Sequence, residues 1–189
     1  MNGRRMLGVV AMAAAFALML PVTGQAQNAQ QRPQGAPEAK APPQPPKPWK
    51  DAIVGSWTLL IDDSVKADGT HQPNFGPNPE GIAIFSADGH FAVTITRVGR
   101  PKFASNSRAT GTADENKAAM AGANAFFGTY TVDEPSKTLT LRVSGATYPN
   151  LEGTTQKRTI TSLTAGDELT WTNPGTKGEV AWKFNKAGS

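Results

Sequence analysis

From residue 54 onward, apolar and polar positions alternate in short runs, the period-two pattern of half-buried strands. Residues 54–61 place Trp57, Leu59 and Ile61 on one face, and 82–85 form a second run. Ser86-Ala87-Asp88-Gly89 comes next as a tight turn, with Asp-Gly supplying the backbone geometry a hairpin needs. Residues 90–97 then return with Phe91, Val93, Ile95 and Arg97 on one face and His90, Ala92, Thr94 and Thr96 on the other. Residues 125–132 place Phe126, Gly128, Tyr130 and Val132 together. The turn Asp133-Glu134-Pro135-Ser136 leads to alternating Leu139, Leu141 and Val143. Runs at 154–162, 168–172 and 179–184 complete the pattern, the last aligning Val180, Trp182 and Phe184.

One stretch breaks the alternation. Residues 99–111 are polar, basic and glycine-containing, and Thr112-Ala113-Asp114-Glu115 reads as a capping box with Thr112 as N-cap. Alanines 118, 119, 121 and 123, with Met120, extend a short helix, and Asp114 and Glu115 at its start suit the helix dipole. The pattern therefore predicts an all-β domain of eight antiparallel strands and one short helix. Short turns between consecutive strands imply a meander. Closure into a barrel would remove exposed strand edges, while a two-sheet sandwich fits the same alternation.

Ahead of the strands the pattern changes twice. Arg4 and Arg5 precede an apolar run over 6–22, and Gly24-Gln25-Ala26 offers a small-x-small cleavage site. Residues 1–26 thus read as a secretory signal peptide, with only 6–20 apolar without a break, short of the roughly 20 residues a spanning helix needs. The expected location is the periplasm or the exterior, with no stable membrane span after processing. Residues 27–48 hold seven prolines and no aromatic residue, so they read as an extended tether to a domain at 49–189. That domain has 14 Lys/Arg and 14 Asp/Glu, so the basic balance of the whole chain lies in its N-terminal part. A nucleic-acid surface is not indicated. Cysteine is absent, which excludes disulfides, thiolate metal sites and cysteine nucleophiles.

Several local motifs point the same way. They are Ile53-Val54-Gly55-Ser56-Trp57, Gly76-Pro77-Asn78-Pro79-Glu80-Gly81, the hairpin Asp88-Gly89 and Arg100-Pro101-Lys102-Phe103-Ala104. Further along are Phe127-Gly128-Thr129-Tyr130-Thr131-Val132-Asp133-Glu134, Tyr148-Pro149-Asn150, Gly153-Thr154 and Gln156 to Arg158. In order and spacing these resemble the bacterial lipocalin-like domain family over most of 52–172. The resemblance implies a lipocalin-like barrel, which at eight strands can enclose one small ligand or pack solid. It implies no particular chemistry.

Strand parity supplies candidate site residues. If Phe91, Tyr130 and Ile160 face inward, Arg97 shares the face of Phe91, and Gln156 and Arg158 share that of Ile160. Two guanidiniums and an amide in an apolar interior need a partner. The options are solvent at the rim, an internal acid such as Asp62 or Glu152, or an anionic ligand such as a carboxylate gripped by Arg97 and Arg158. The candidate ligand set is Arg97, Arg158, Gln156, Tyr130 and Phe91. His71 and His90 lack zinc-site spacing, and an acid–base pair of His71 with Asp62, Asp63 or Asp68 is conceivable. No nucleophile elbow or phosphate-cradling loop is present, and no cofactor or catalytic residue is indicated. The expectation is an exported binding protein for a small apolar molecule, with a carboxylate as candidate head group. The alternatives are a filled barrel serving a structural or interaction role, and a cyclase- or isomerase-type enzyme using the cavity.

Overall fold

The computed structural model describes residues 46–186. The expected signal peptide, and the expected tether before residue 46, lie outside the described residues. In chain order the elements are α1 (Trp49–Ala52), β1 (Gly55–Val65), β2 (His71–Pro73), β3 (Glu80–Phe85) and β4 (His90–Thr96), then α2 (Ala113–Ala121), β5 (Ala123–Asp133), β6 (Thr138–Ala146), β7 (Thr155–Thr164), β8 (Glu168–Thr172) and β9 (Glu179–Phe184). Two short 3-10 turns, Arg108–Thr110 and Pro149–Leu151, lie in the connections.

Strands β3 to β9 pair antiparallel in sequence order, and β1 pairs with β3 on one side and β9 on the other. This closes an eight-stranded antiparallel barrel, and the sandwich alternative falls away. The three-residue β2 lies outside the ring, paired only with Asp63, Ser64 and Val65 of β1. All eight strands anticipated from the alternation are present. The capping box is present too: Thr112 N–H donates to Glu115 Oε2 at 2.7 Å, and Glu115 N–H to Thr112 Oγ1 at 3.2 Å.

The barrel has two unlike ends. At the turn end, α1 crosses the opening and Ile53 is fully enclosed, its carbonyl accepting the Trp57 indole N–H at 2.9 Å. Trp49 is partly buried against the core, and its backbone N–H donates to Glu134 at 3.1 Å. Phe85 stacks with Phe91 at 6.4 Å and meets Tyr130 edge-on at 5.0 Å, so aromatic rings fill this half. At the loop end, the connections 66–79, 97–122, 147–154 and 173–178 gather. Helix α2 lies among them, packs against β5 and buries none of its own side chains.

Three irregularities in the ladder change which way side chains face. The β1–β9 register shifts between Leu59 and Ile61, the β5–β6 register between Phe127 and Gly128, and the β7–β8 register between Ile160 and Ser162. An extra residue reverses the parity of the residues beyond it. In β1 it turns Ile61 outward, to 40% exposure, and brings Asp62 inward at 8%. The sequence expectation that Ile61 joins Trp57 and Leu59 on the inner face is therefore corrected. Arg97 is corrected for a different reason. Strand β4 ends at Thr96, Arg97 donates its backbone N–H to Gly122 O at 2.8 Å, and its side chain is exposed. Alternation along β4 carries no information past the last ladder bond.

Gly128 marks the second irregularity. A Cβ there would lie 1.9 Å from the carbonyl oxygen of Arg142 on β6, a backbone atom that cannot step aside. Gly128→Ala should therefore push β5 and β6 apart and cost roughly 1–3 kcal/mol, the range for overpacking. Denaturant melts of the two proteins measure this; a cost below about 0.5 kcal/mol would show that the bulge absorbs a methyl group.

Candidate functional site

Between the aromatic half and the loop-end connections lies a cavity of about 80 Å³. Its apolar walls are Val93 and Ile95 of β4, Phe126 of β5, Trp171 of β8 and Val180 of β9. Five polar side chains complete it: Asp62, Asn124, Arg158, Asn173 and Trp182. A purely apolar interior would need none of them, and each arrives by a local feature of the chain.

Asp62 enters through the β1 bulge. Asn74, just beyond β2, donates its side-chain N–H to Asp62 Oδ1 at 2.8 Å and its backbone N–H to the Asp62 carbonyl at 2.9 Å. Arg158 enters by simple parity, two residues before the fully buried Ile160 and opposite Leu139 in the ladder. Its Nη1 donates to the Lys157 carbonyl at 3.1 Å and to Gln156 Oε1 at 3.5 Å, and neither bond uses Nε or Nη2. Asn124 stands two residues before Phe126 on β5, and Asn173 two residues after Trp171 at the end of β8. Trp182 is fully enclosed and stacks at a tilt on Trp171, with ring centres 5.4 Å apart.

Three of these side chains hold atoms without a protein partner. Asn124 Oδ1, Asn173 Oδ1 and Trp182 Nε1 are all buried and all unpaired. Buried polar atoms are almost always hydrogen-bonded, because leaving one unpaired costs about 1–3 kcal/mol. All three belong to residues that line this one cavity.

The two charges differ from an ordinary salt bridge. Burial pushes the Asp62 carboxyl above its usual 3.8, and the nearby Asp63 adds to this, while the Asn74 bond and the Arg158 charge pull it back. Burial likewise pulls the Arg158 guanidinium below its usual value, and Asp62 offsets part of that. Each charge senses the other, yet no ion pair within 4.0 Å joins Arg158 to an acid among the described residues. They face the cavity separately.

Of the five residues proposed from parity, Arg158 alone lines this cavity. Gln156 adjoins it on the loop-end side, accepting from Arg158 at 3.5 Å and donating to Thr154 Oγ1 at 2.8 Å. Phe91 is buried in the aromatic half, and the Tyr130 hydroxyl donates to the Ser86 carbonyl at 3.0 Å, at the opposite end of the barrel. Arg97 borders a separate surface groove with Phe75 and Pro77, so the expected two-arginine clamp does not form. The internal acid is Asp62; Glu152 is exposed and accepts the Ala146 N–H at 3.3 Å. Both histidines are exposed and paired with neighbours, His71 with Asp63 at 3.3 Å and His90 with Asp88 at 3.2 Å. The candidates drawn from the sequence leave out Asn124, Asn173 and the Trp182 N–H, although alternation reaches all three side chains. Alternation places Trp182 in the core without regard to its N–H. The two asparagines sit at strand ends, where stepping by two from Phe126 and Trp171 finds them.

A closed eight-stranded antiparallel meander is an architecture that either packs solid or encloses one small ligand, and here a polar-lined cavity lies toward one end. The chain belongs to the lipocalin-like domain family, whose pattern matches residues 54–185. Among solved structures it is similar to a protein from Bacteroides uniformis ATCC 8492, with 20% identity, covering 72% of this chain and 93% of that one, at a TM-score of 0.36. It is also similar to a DUF4847 family protein from Bacteroides vulgatus ATCC 8482, with 14% identity, covering 71% and 94%, at a TM-score of 0.36. No curated protein matches the chain. Among the described residues, no helix is long and apolar enough to cross a membrane.

The raised Asp62 carboxyl fixes the sign of a pH effect. The folded state holds this proton more tightly than the unfolded chain does. The group's contribution to stability is therefore complete below its unfolded value near 3.8 and is lost as pH rises through the higher folded value. Asp62→Asn removes the titration. Its melting temperature relative to wild type should move in the variant's favour between about pH 3 and about pH 7. Calorimetric melts across that range check it, and a difference that stays constant with pH would put the carboxyl in solvent.

Proposed function

We propose that the protein is an exported binding module for a small molecule with an apolar body and a polar head group. The head group enters the cavity lined by Asp62, Asn124, Arg158, Asn173 and Trp182, and the body lies along Val93, Ile95 and Phe126. The observation that carries this reading is the gathering of an aspartate, an arginine, two asparagines and a tryptophan around one interior cavity of the barrel. At about 80 Å³ the cavity has room for two or three water-sized groups, each about 30 Å³. It therefore suits a head group rather than a whole drug-sized ligand, which fills roughly 300–1,000 Å³. Export rests on the signal-like residues 1–26. The surface offers no net charge for nucleic acid, since the domain's acids and bases balance.

One observation favours a second reading. A carboxyl with a raised pKa, buried beside an arginine in a cavity, is also the equipment of a general acid. An isomerase- or cyclase-type enzyme would use Asp62 in that way. The small volume and the separate unpaired amides favour binding.

Native mass spectrometry of the protein purified from its own host should reveal a co-purifying small molecule. Calorimetry with that molecule should show Arg158→Met weakening binding by about 2 kcal/mol, the scale of truncating one side of a buried charged hydrogen bond. Arg97→Met should leave affinity unchanged. A ligand insensitive to Arg158 but sensitive to Arg97 would move the site to the surface groove.

A further inference from the structure

The outward side chains of the barrel differ from one part of the ring to another. On β7 the outward positions Thr155, Lys157, Thr159 and Thr161 are polar and exposed, as on a solvated face. Across β3, β4 and β5 the outward positions are apolar or small. Ile84 pairs with Ala92 and Ala92 with Phe127, while Ile82 pairs with Thr94 and Thr94 with Ala125, so two rows run side by side over three strands. Ile82, Ile84 and Phe127 are 40%, 44% and 56% exposed. Scattered exposed apolar residues are ordinary, but a contiguous patch marks a contact surface. We infer that this face is the interface of a symmetric homodimer, in which Phe127 of each copy seats in a groove of the other.

Shape and charge single out a second copy of the chain as the occupant. The Phe127 ring lies across β6 over Gly145, where a Cβ would meet it at 2.7 Å. Beside the ring, the small side chains of Ala92, Thr94, Ala125 and Ala146 leave a groove on the surface. A face that carries both a bulky ring and a groove is self-complementary, since in a two-fold contact each copy receives what it offers. The charges at the margin follow the same symmetry. Toward the loop end of the groove is Glu152, whose Oε1 accepts the Ala146 N–H at 3.3 Å, and Glu80 begins β3 on that side. In the next row toward the turn end is Arg142, exposed and opposite Thr129, with no ion pair within 4.0 Å among the described residues. Asp88 and His90, also on that side, pair with each other at 3.2 Å. A two-fold axis lying across the strands sets the loop side of one copy on the turn side of the other. Glu152 of each copy then meets Arg142 of its mate, and the pairs fix the register of the contact. An anionic lipid surface would instead meet the two acids, so the margin suits another copy better than a membrane.

Sedimentation velocity of the protein purified from its own host, from micromolar to near-millimolar concentration at low salt, should show a monomer–dimer equilibrium that follows mass action. Phe127→Lys should weaken the dimer about tenfold or more, as loss of a central aromatic anchor does. Phe127 is exposed, so the melting temperature of the monomer should hold; if this variant fails to fold, Ile84→Lys in the same row takes its place. Arg142→Glu should weaken the dimer about fivefold by setting like charges together, and the double variant Arg142→Glu/Glu152→Arg should restore it. A double variant that stays as weak as the single one would overturn the two-fold arrangement. A dimer indifferent to Phe127→Lys and Ile84→Lys would lie on another face and overturn the inference. A chain that stays monomeric at every concentration overturns it too, and flotation with phosphatidylglycerol vesicles would then show whether the face docks on lipid instead. None of these results bears on the interior cavity, whose ligand is tested separately.

Discussion

The structure depends on the double pairing of β1. This strand bonds to β3 along its first half and to β9 from Trp57 to Asp62, so it is both the first strand of the meander and the seam that closes it. Without the β9 pairing, two strand edges would be left with unpaired backbone groups. Side chains reinforce the seam. Asn185, just past β9, donates its backbone N–H to Ser56 O at 2.8 Å and its side-chain N–H to Ser56 Oγ at 2.9 Å, and accepts from Thr58 Oγ1 at 2.6 Å. The Phe184 ring meets Trp57 edge-on at 5.0 Å. Closing a twisted sheet on itself requires local bending, and bulges supply it. The β1 bulge lies in this seam. The same distortion that lets the barrel close delivers Asp62 to the interior.

Closure also separates the barrel into two chemical environments. The turn end is sealed by α1 and filled by Phe85, Phe91 and Tyr130, with its polar atoms spent on the backbone. The loop end receives an aspartate, an arginine, two asparagines and a tryptophan N–H. An isosteric apolar filling of the loop end would be at least as stable, because buried charges lose their hydration and regain it only through close pairing. Asp62 and Arg158 are not closely paired, and the asparagine oxygens are not paired within the protein. Under the proposed function, the arrangement gives up some stability for recognition, in the half of the barrel where the connecting loops converge. Helix α2 fits the same division. Its side chains are spent on capping and on the 97–112 connection, with Glu115 accepting from both Thr112 and Ala104, rather than on the core.

Much of the fold was legible from local pattern. Alternation located all eight strands, the Asp-Gly turn marked the first hairpin, and the Thr112–Glu115 spacing marked the helix start, because each of these is decided within a few residues. Parity brought Arg158 to the interior correctly, since the β7 ladder shows no register shift before Ile160.

The site itself was decided by tertiary structure. Alternation cannot register an extra residue in a strand, so Ile61 and Asp62 exchanged faces when the seam with β9 formed a bulge. It cannot register where a ladder stops, so Arg97 left the interior once β4 ended at Thr96. Nor can it say which inward residues share one end of a barrel: Phe91 and Arg158 both point in, but register places them in opposite halves. Periodicity along the sequence determines which way a side chain points. The stagger, bulges and closure of the sheet determine what it points at, and those arise only when strands distant in sequence bond to one another.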